Sequence, residues 1–460
     1  MTELNNISRI YFIGIGGIGM SALARHFNDK GVSVSGYDKT ASVLSKELES
    51  EGMKIHYEDN IELIDKDADL VVYTPAIPLD HSEYNYYKNN NYKVLKRSDV
   101  LESLTAKTFN ICVAGTHGKT TISSMIAHIL KDSGLGCTAF LGGISVNYNT
   151  NYWSGENDIC VVEADEYDRS FLKLSPNIAI ISAMDADHLD IYGTAEAVEE
   201  AFIEFASRIK NGGTLISKKG LKREGDLIAP KKLSYSLEHT QADVYATNIS
   251  IKEGCYHFDL NIKNEIFEGL TLKVGGMHNV ENAVVAIATC IQAGVPFENI
   301  KKAIGGFKGV KRRFEYIVRD KAHQIIYIDD YAHHPEELKA LISSAKNLFP
   351  DHYCIIIFQP HLYSRTRDLA DDFATVLDMA NEVVLLPLYP AREQPIEGVS
   401  SKMIYDRMRL KNKRILEMNE VVKWIELDNL KEEKRVYITA GAGNIDQLVL
   451  QIEKVLKTVE

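Results

Sequence analysis

A short glycine loop with a lysine near its end offers the clearest chemistry in this 460-residue chain. Apolar residues 109–114 predict a buried strand before the loop, and residues 121–130 have the apolar spacing of a helix. In that setting backbone N–H groups and a helix N-terminus bind phosphate. The loop residues are Gly115, Thr116, His117, Gly118, Lys119, Thr120 and Thr121. Lys119 would contact the β- and γ-phosphates and Thr120 would bind Mg²⁺, which favours ATP chemistry over a plain turn with a surface lysine.

A second glycine loop follows an apolar strand predicted at residues 9–13. Gly14, Gly16 and Gly19 satisfy G-x-G-x-x-G, with Gly17 between them, and Asp38 follows another predicted strand. In a dinucleotide site this turn holds the pyrophosphate, and the acidic residue about twenty positions on binds ribose. The same loop suits the pyrophosphate of a UDP-sugar, so the fingerprint alone leaves NAD and that ligand open.

Composition excludes several classes of protein. The net charge of −12 argues against a nucleic-acid-binding surface. The six cysteines include no C-x-x-C pair, so we expect neither zinc nor a disulfide framework, and a reducing cytosol fits. We recognise no signal peptide and no membrane span, and we expect a cytoplasmic protein with no membrane or nucleic-acid partner.

Strand and helix patterns alternate almost throughout the chain, which predicts α/β domains with parallel sheets. We place three domains at residues 1-107, 108-313 and 314-460. Further strands are predicted at residues 32–37, 70–73, 159–163, 178–181, 324–329, 353–358, 382–386 and 436–438. Helices are predicted at residues 195–209 and 279–293. Polar and apolar residues alternate over 231–275 with few helix signals, which predicts a small antiparallel section.

Two acidic segments follow predicted strands of the central domain. Glu163 ends one strand, and a carboxylate placed there beside a phosphate loop can bind Mg²⁺. A solvated acidic loop is the alternative. His188 lies in the acidic segment after the next strand, where it is a candidate ligand for a second metal ion or, alternatively, a structural histidine.

Two further polar segments follow strands of the third domain. Residues 329–335 contain Asp330 and His333, which suit ribose hydroxyls and a carboxylate substrate, whereas a helix N-cap at Asp330 is the alternative. His361 and Arg365 lie close together in the other segment with a second arginine, and they indicate an anion site. A solvated helix start is the alternative there.

Several of these stretches resemble the Mur ligases, the ATP-dependent ligases of bacterial cell-wall synthesis. The resemblance runs along essentially the whole chain. Residues 115–121 resemble the ATP loop of that superfamily, and residues 277–283 resemble its adenine-side motif. Four stretches resemble the branch that joins L-alanine to UDP-N-acetylmuramate: residues 14–21, 329–335, 358–368, and 389–393 with 395–399. The chain departs from the family pattern at Pro75, Ala332 and Leu362.

The resemblance implies a fold and a set of sites. The N-terminal domain would be Rossmann-like and bind UDP, the central domain would be a P-loop-type ATPase, and the C-terminal domain would again be Rossmann-like. Gly14, Gly16, Gly17, Gly19 and Asp38 would hold the UDP-sugar. Asn279 and Asn282 would lie near adenine, Asp330 would take the ATP ribose and Arg313 the phosphates. His361 and Arg365 would contact the alanine carboxylate.

The resemblance also implies an acyl-phosphate mechanism in peptidoglycan precursor synthesis. The muramate carboxylate would attack the γ-phosphate, helped by Lys119 and by Mg²⁺ on Thr120 and Glu163. A second Mg²⁺ would lie near His188. Several other Mur ligases carry a carbamylated lysine where this chain has Phe202, so we expect no carbamate. His333 would orient substrate or accept the amine proton, and the enzyme would be a monomer or homodimer.

Three other functions remain as alternatives. A nicotinamide dehydrogenase would explain the N-terminal loop but would leave Lys119 without a role. A regulatory nucleotide-binding protein would not need the His333 and Arg365 clusters. Another ligase of the superfamily, with a different amino acid or peptide, would share both nucleotide loops.

Overall fold

The computed structural model describes residues 4, 6–185, 189–237, 239–320, 324–391, 393–428 and 433–457, with residues 189 and 190 described by backbone alone. The chain divides into two compact units. The first unit contains residues 1–248, 258–270 and 281–306, and the second unit contains residues 249–257, 271–280 and 307–460.

The N-terminal part of the first unit is a five-stranded parallel sheet in the order β3-β2-β1-β4-β5. Its strands are β1 (Arg9–Ile13), β2 (Ser33–Tyr37), β3 (Lys54–His56), β4 (Leu70–Tyr73) and β5 (Val94–Lys96). Its helices are α1 (Ile18–Asp29), α2 (Val43–Ser50), α3 (Ser82–Asn89) and α4 (Arg97–Thr105). The strand order reverses at β1, so the first glycine loop leaves the sheet at the switch point where α/β folds bind ligands.

A ten-stranded sheet follows in the order β15-β14-β13-β12-β11-β10-β6-β9-β7-β8. Its strands are β6 (Phe109–Ala114), β7 (Thr138–Ser145), β8 (Thr150–Trp153), β9 (Ile159–Glu163), β10 (Ile178–Ile181), β11 (Thr214–Lys218), β12 (Lys231–Ser236), β13 (Val244–Lys252), β14 (Cys255–Ile262) and β15 (Glu265–Leu272). The helices are α5 (Lys119–Asp132), α6 (Leu189–Tyr192), α7 (Ala195–Ser207), α8 (Met277–Gln292) and α9 (Phe297–Gly306). Since β6 lies between β9 and β10 and parallel to both, the lysine loop leaves the middle of the sheet.

The third sheet belongs to the second unit and has six strands in the order β16-β17-β21-β18-β19-β20. They are β16 (Glu315–Asp320), β17 (Ile325–Asp330), β18 (Tyr353–Phe358), β19 (Glu382–Leu385), β20 (Lys413–Ile415) and β21 (Arg435–Ala440). The helices are α10 (Pro335–Leu348), α11 (Tyr363–Asp368), α12 (Ala370–Leu377), α13 (Ser401–Arg407), α14 (Met418–Asp428) and α15 (Val449–Lys457). Only β16 pairs antiparallel, so the carboxyl ends of β17, β21 and β18 meet at one edge.

The expected antiparallel section at residues 231–275 is partly wrong. Strand β12 pairs parallel with both β11 and β13. Two-residue turns with positive φ, at residues 253–254 and 263–264, then join β13 to β14 and β14 to β15 as hairpins. An alternating polar pattern shows that one face of a strand is covered, but it does not report the direction of the neighbouring strand.

The remaining sequence expectations agree with the structure at the level of elements. The three sheets lie within the three predicted domains, although the boundaries at residues 107 and 313 remain a prediction. The helix after the lysine loop begins at Lys119, two residues earlier than expected. Seven strands were not predicted: β3, β5, β7, β8, β11, β16 and β20. Across the described residues, no helix combines the length and the apolar character needed to cross a bilayer.

Candidate functional site

The lysine loop connects the carboxyl end of β6 to the first turn of α5. Gly118 is the N-cap of α5 with φ +84°, and Gly115 has φ +130°, a conformation that L side chains rarely adopt. A Cβ on Gly115 would lie 2.8 Å from the amide nitrogen of Ala183, so only glycine fits there. The loop therefore presents backbone N–H groups and a helix N-terminus, as phosphate binding requires.

The other predicted residues of this loop differ in exposure and in contacts. The Thr116 hydroxyl accepts from the amide of Asp185 at 3.2 Å, and the side chain of His117 is exposed. Thr121 is buried in the first turn of α5. Asn282 reaches the loop, because its Oδ1 would be 2.9 Å from a Cβ on Gly118.

Lys119 is oriented by an acidic residue that sequence reasoning did not select. Its Nζ donates to the carbonyl of Gly115 at 2.8 Å and to Oε1 of Glu166 at 2.7 Å. The Glu166 side chain is only 1% exposed, and this burial raises its pKa. Its place in the acidic segment that follows β9 could have indicated it, but sequence reasoning selected Glu163 at the end of β9 instead.

Thr120 and Glu163 meet beside the lysine loop, as expected. The Thr120 hydroxyl donates to Oε1 of Glu163 at 3.2 Å, and the amide of Gly142 donates to Oε2 at 3.1 Å. Burial raises the pKa of Glu163. A hydroxyl next to a carboxylate is an oxygen donor set that suits Mg²⁺. His188 lies outside the described residues. Among the residues that are described, no three or more His, Cys, Asp or Glu side chains group in a way that could hold a metal ion.

The first glycine loop is closed by Asp38. The amides of Gly16 and Thr40 donate to the Asp38 carboxylate at 2.8 and 3.1 Å, so this side chain fixes the loop. The guanidinium of Arg97 lies so close to Gly19 that a Cβ there would collide with it. Arg97, whose guanidinium also lies 3.7 Å from Asp165, is a candidate to hold an anion at the N-terminus of α1, and sequence reasoning missed it. Its signal was an arginine directly after the carboxyl end of β5.

One cavity of about 240 Å³ in the first unit extends from the first glycine loop to Glu163, the carboxylate that the Thr120 hydroxyl contacts. Gly17 and Gly19 line it on one side, Glu163 lines it on another, and Arg97 and Tyr167 also contribute. A ligand whose pyrophosphate sits on the glycine loop can therefore extend to the carboxylate of Glu163 within a single cavity.

In the second unit, Asp330 ends β17 with both carboxylate oxygens in use. The amides of Phe314 and Ala332 each donate to it at 2.7 Å, and burial raises its pKa. The N-cap of α10 is His334, so the alternative role of Asp330 as an N-cap is wrong. Each oxygen retains a second lone pair that can accept from a ribose hydroxyl.

Two other candidates of the second unit are placed by local contacts. The guanidinium of Arg313 lies 5.5 Å from the centre of the Tyr331 ring. The side-chain Nδ2 of Asn279 donates to the carbonyl of Gly275 at 2.6 Å, and the residue is buried in the first turn of α8. Arg312, the neighbour of Arg313, is instead held by the buried carboxylate of Asp329 at 3.4 Å.

His333, His361 and Arg365 gather at the carboxyl edge of the third sheet. The rings of the two histidines lie 5.9 Å apart, and His361 stacks on Tyr389 at 5.8 Å. Burial, the second histidine and Arg365 lower the pKa of His361 to about 4. Within the described residues, His361 Nδ1 and Arg365 Nη1 are buried without a hydrogen-bond partner. Buried polar atoms of this kind mark a place for a polar ligand.

The protonation state of His333 follows from its contacts. Its Nδ1 lies 2.9 Å from the carbonyl of Tyr331, so the ring hydrogen belongs on Nδ1 and the lone pair on Nε2. Burial lowers the pKa of this histidine, with Arg365 and Arg313 acting in the same direction. His333 is thus neutral near pH 7 and can accept a proton.

Two glycine loops that each follow a strand with parallel neighbours, and a third sheet with unpartnered buried polar atoms at its carboxyl edge, are typical of nucleotide-dependent enzymes. Three family models match: the Mur ligase family catalytic domain at residues 9–108, the Mur ligase middle domain at 113–290, and the Mur ligase glutamate ligase domain at 312–443. The chain belongs to the Mur ligase family, which is ATP-dependent.

Full-length relatives make the comparison more specific. The UDP-N-acetylmuramate–L-alanine ligase of Flavobacterium psychrophilum is 47% identical over 99% of both chains. That of Porphyromonas gingivalis is 45% identical over 98% of this chain and all of its own. The crystal structure of the Thermotoga maritima UDP-N-acetylmuramate–alanine ligase has a TM-score of 0.85 at 29% identity, covering 99% of this chain and 100% of that one.

Proposed function

We propose that this chain joins L-alanine to the lactyl carboxylate of UDP-N-acetylmuramate, with release of ADP and phosphate, in peptidoglycan precursor synthesis. The relatives that cover the whole chain carry this activity in their names. The observation that supports it most directly is the single cavity lined by both the first glycine loop and Glu163. A UDP-sugar whose acid must meet the phosphate of ATP needs such a cavity.

The UDP-sugar is assigned to the first glycine loop. Backbone amides of residues 14–19 and the guanidinium of Arg97 bind the pyrophosphate, while Asp38 holds the loop in shape. The muramate then lies along the cavity with its carboxylate directed towards Glu163. NAD fits this assignment poorly. It has no carboxylate that could be phosphorylated, so Glu163 and Lys119 would have no role.

The first chemical step is attack of the muramate carboxylate on the γ-phosphorus, which forms an acyl phosphate and releases ADP. Lys119 stabilises the negative charge on the transferring phosphate. Thr120 and Glu163 would hold Mg²⁺, and His188 is assigned to a second ion. Mg²⁺ supplies further neutralisation of the phosphate charge when it is bound.

The second step is attack of the alanine amine on the acyl phosphate, which forms the amide and releases phosphate. His361 and Arg365 bind the alanine carboxylate, because each has a buried polar atom that a carboxylate oxygen would satisfy. His333 accepts the amine proton at Nε2. Asp330 takes the ribose of ATP, Asn279 and Asn282 the adenine, and Arg313 the phosphates.

ADP release in a matrix of UDP-N-acetylmuramate with single amino acids tests this proposal. We expect release with alanine that is faster than with serine or glycine. Release only with another amino acid, or only with a peptide, would identify a different ligase of the family. Release without any UDP-sugar, or none at all, would contradict the ligase assignment. We place the reaction in the cytoplasm, where ATP and UDP-sugars occur, in a monomer or homodimer.

A further inference from the structure

The ammonium group of Lys119 has a fixed direction in the structure. Two of its three hydrogens are directed by acceptors: one to the carbonyl of Gly115 at 2.8 Å and one to Glu166 at 2.7 Å. The third hydrogen is the one that can meet a phosphate oxygen. The Lys119 side chain is 14% exposed and that of Glu166 is 1% exposed, so solvent screens this ion pair little.

Glu166 is itself anchored through its backbone. The hydroxyl of Tyr192 and the amide of Arg169 donate to the carbonyl of Glu166 at 2.7 and 3.0 Å. The Arg169 guanidinium lies over the Tyr192 ring at 5.0 Å and holds that ring in place. The carboxylate that meets Lys119 therefore projects from a fixed segment.

We propose that Glu166 is a positioning residue that aims Lys119 at the phosphate transferred in the reaction. The inference deepens the proposed function, since it gives the ATP loop a partner that the loop motif does not contain. A carboxylate near a triphosphate repels it, so Glu166 does not help the nucleotide to bind. Its contribution lies in the orientation of the lysine, which matters most when charge develops on the transferring phosphate.

The test is Glu166→Gln, which keeps the size of the side chain and removes its charge. We expect kcat to fall roughly tenfold or more, while the Kd for ATP stays within about threefold or becomes tighter. Kd is measured by calorimetry with a non-hydrolysable ATP analogue, and the unfolding midpoint shows that the variant is folded. An unchanged kcat, or a Kd that weakens in parallel with kcat, would overturn the positioning role.

Tyr192→Phe provides a second variant that keeps the aromatic ring. It removes only the hydrogen bond to the Glu166 carbonyl, so kcat should fall by about two- to fivefold while the Kd for ATP again stays within about threefold. If Glu166→Gln does not fold, an unchanged kcat in Tyr192→Phe overturns the inference by itself.

Glu382→Gln is the matched control. Glu382 is also a buried carboxylate in an ion pair, with Arg414 at 2.6 Å, but it lies in the second unit at the start of β19. The kcat of the Glu382→Gln variant should remain within about twofold of that of the unaltered protein. Absence of ligase activity in the unaltered protein would contradict the proposed function. An active unaltered protein whose kcat is not changed by Glu166→Gln would contradict only this inference.

Discussion

Arg365→Ala should raise the KM for alanine far more than the KM for ATP or for UDP-N-acetylmuramate. Arg365 Nη1 is buried without a hydrogen-bond partner among the described residues, next to an equally unpartnered His361 Nδ1. A hydrogen bond between charged groups contributes about 1.5–3 kcal/mol, which corresponds to roughly 13- to 160-fold in KM. We expect a value in this range for alanine and changes below about threefold for the other two substrates.

The assay is initial-rate ADP release with two substrates saturating and the third varied. Arg367→Ala is the matched control on the same helix, because Arg367 is half exposed and pairs with the exposed Asp368 at 2.7 Å. It should leave all three KM values unchanged. An alanine KM that is unaffected by Arg365→Ala would refute the assignment of this pocket to the amino acid, and His361 and His333 would then be tested.

Two further substitutions and one change of assay conditions should have specific effects on the kinetics. Arg97→Ala should raise the KM for the UDP-sugar roughly tenfold or more and leave that for ATP unchanged, whereas the opposite pattern would show that the two nucleotide sites are exchanged. Lys119→Ala should lower kcat by roughly 10³-fold or more in protein shown to be folded, and near-normal turnover would exclude the ATP-loop assignment. Removal of CO₂ and bicarbonate should leave the rate unchanged, because Phe202 is fully buried against Phe171 and cannot form a carbamate; a rate that recovers on addition of bicarbonate would contradict this.

Sequence patterns predicted the backbone geometry of the lysine loop well because this geometry is local. A glycine with φ +130° at position 115 and a helix soon after it follow from the order strand, glycine turn, helix, although the helix begins two residues earlier than expected. The same reasoning placed Thr120 in the loop after one strand and Glu163 at the end of another, and the structure brings their oxygens to 3.2 Å. Carboxyl ends of neighbouring parallel strands meet at one edge of a sheet, so such pairs can be predicted from sequence.

Arg97 and Glu166 escaped sequence reasoning because their roles depend on contacts between segments distant in the chain. Arg97 begins α4, yet its guanidinium lies against Gly19 in α1. In the sequence Glu166 resembles the neighbouring acids Asp165 and Asp168, and only its burial and its contact with Lys119 separate it from them. Burial of a charged side chain at a turn is set by the packing of neighbouring elements, which a local pattern does not report.

The histidines and arginines of the second unit act together, and this coupling leads to a last prediction. Burial lowers the pKa of His333 from its usual 6.5, Glu337 opposes the shift, and Arg365 and Arg313 add to it. The base must be neutral, so kcat should be constant near pH 7 and fall only as the pH drops through this lowered pKa. The charge that binds the alanine carboxylate thereby also keeps the proton acceptor, His333, in its neutral form.

In Arg365→Ala, at saturating alanine, the pKa of His333 should rise and the acid limb of the kcat–pH profile should move to higher pH. His333→Gln should abolish that limb. An acid limb that stays in place in Arg365→Ala would show that these two side chains are not coupled, and its persistence in His333→Gln would assign the limb to another group.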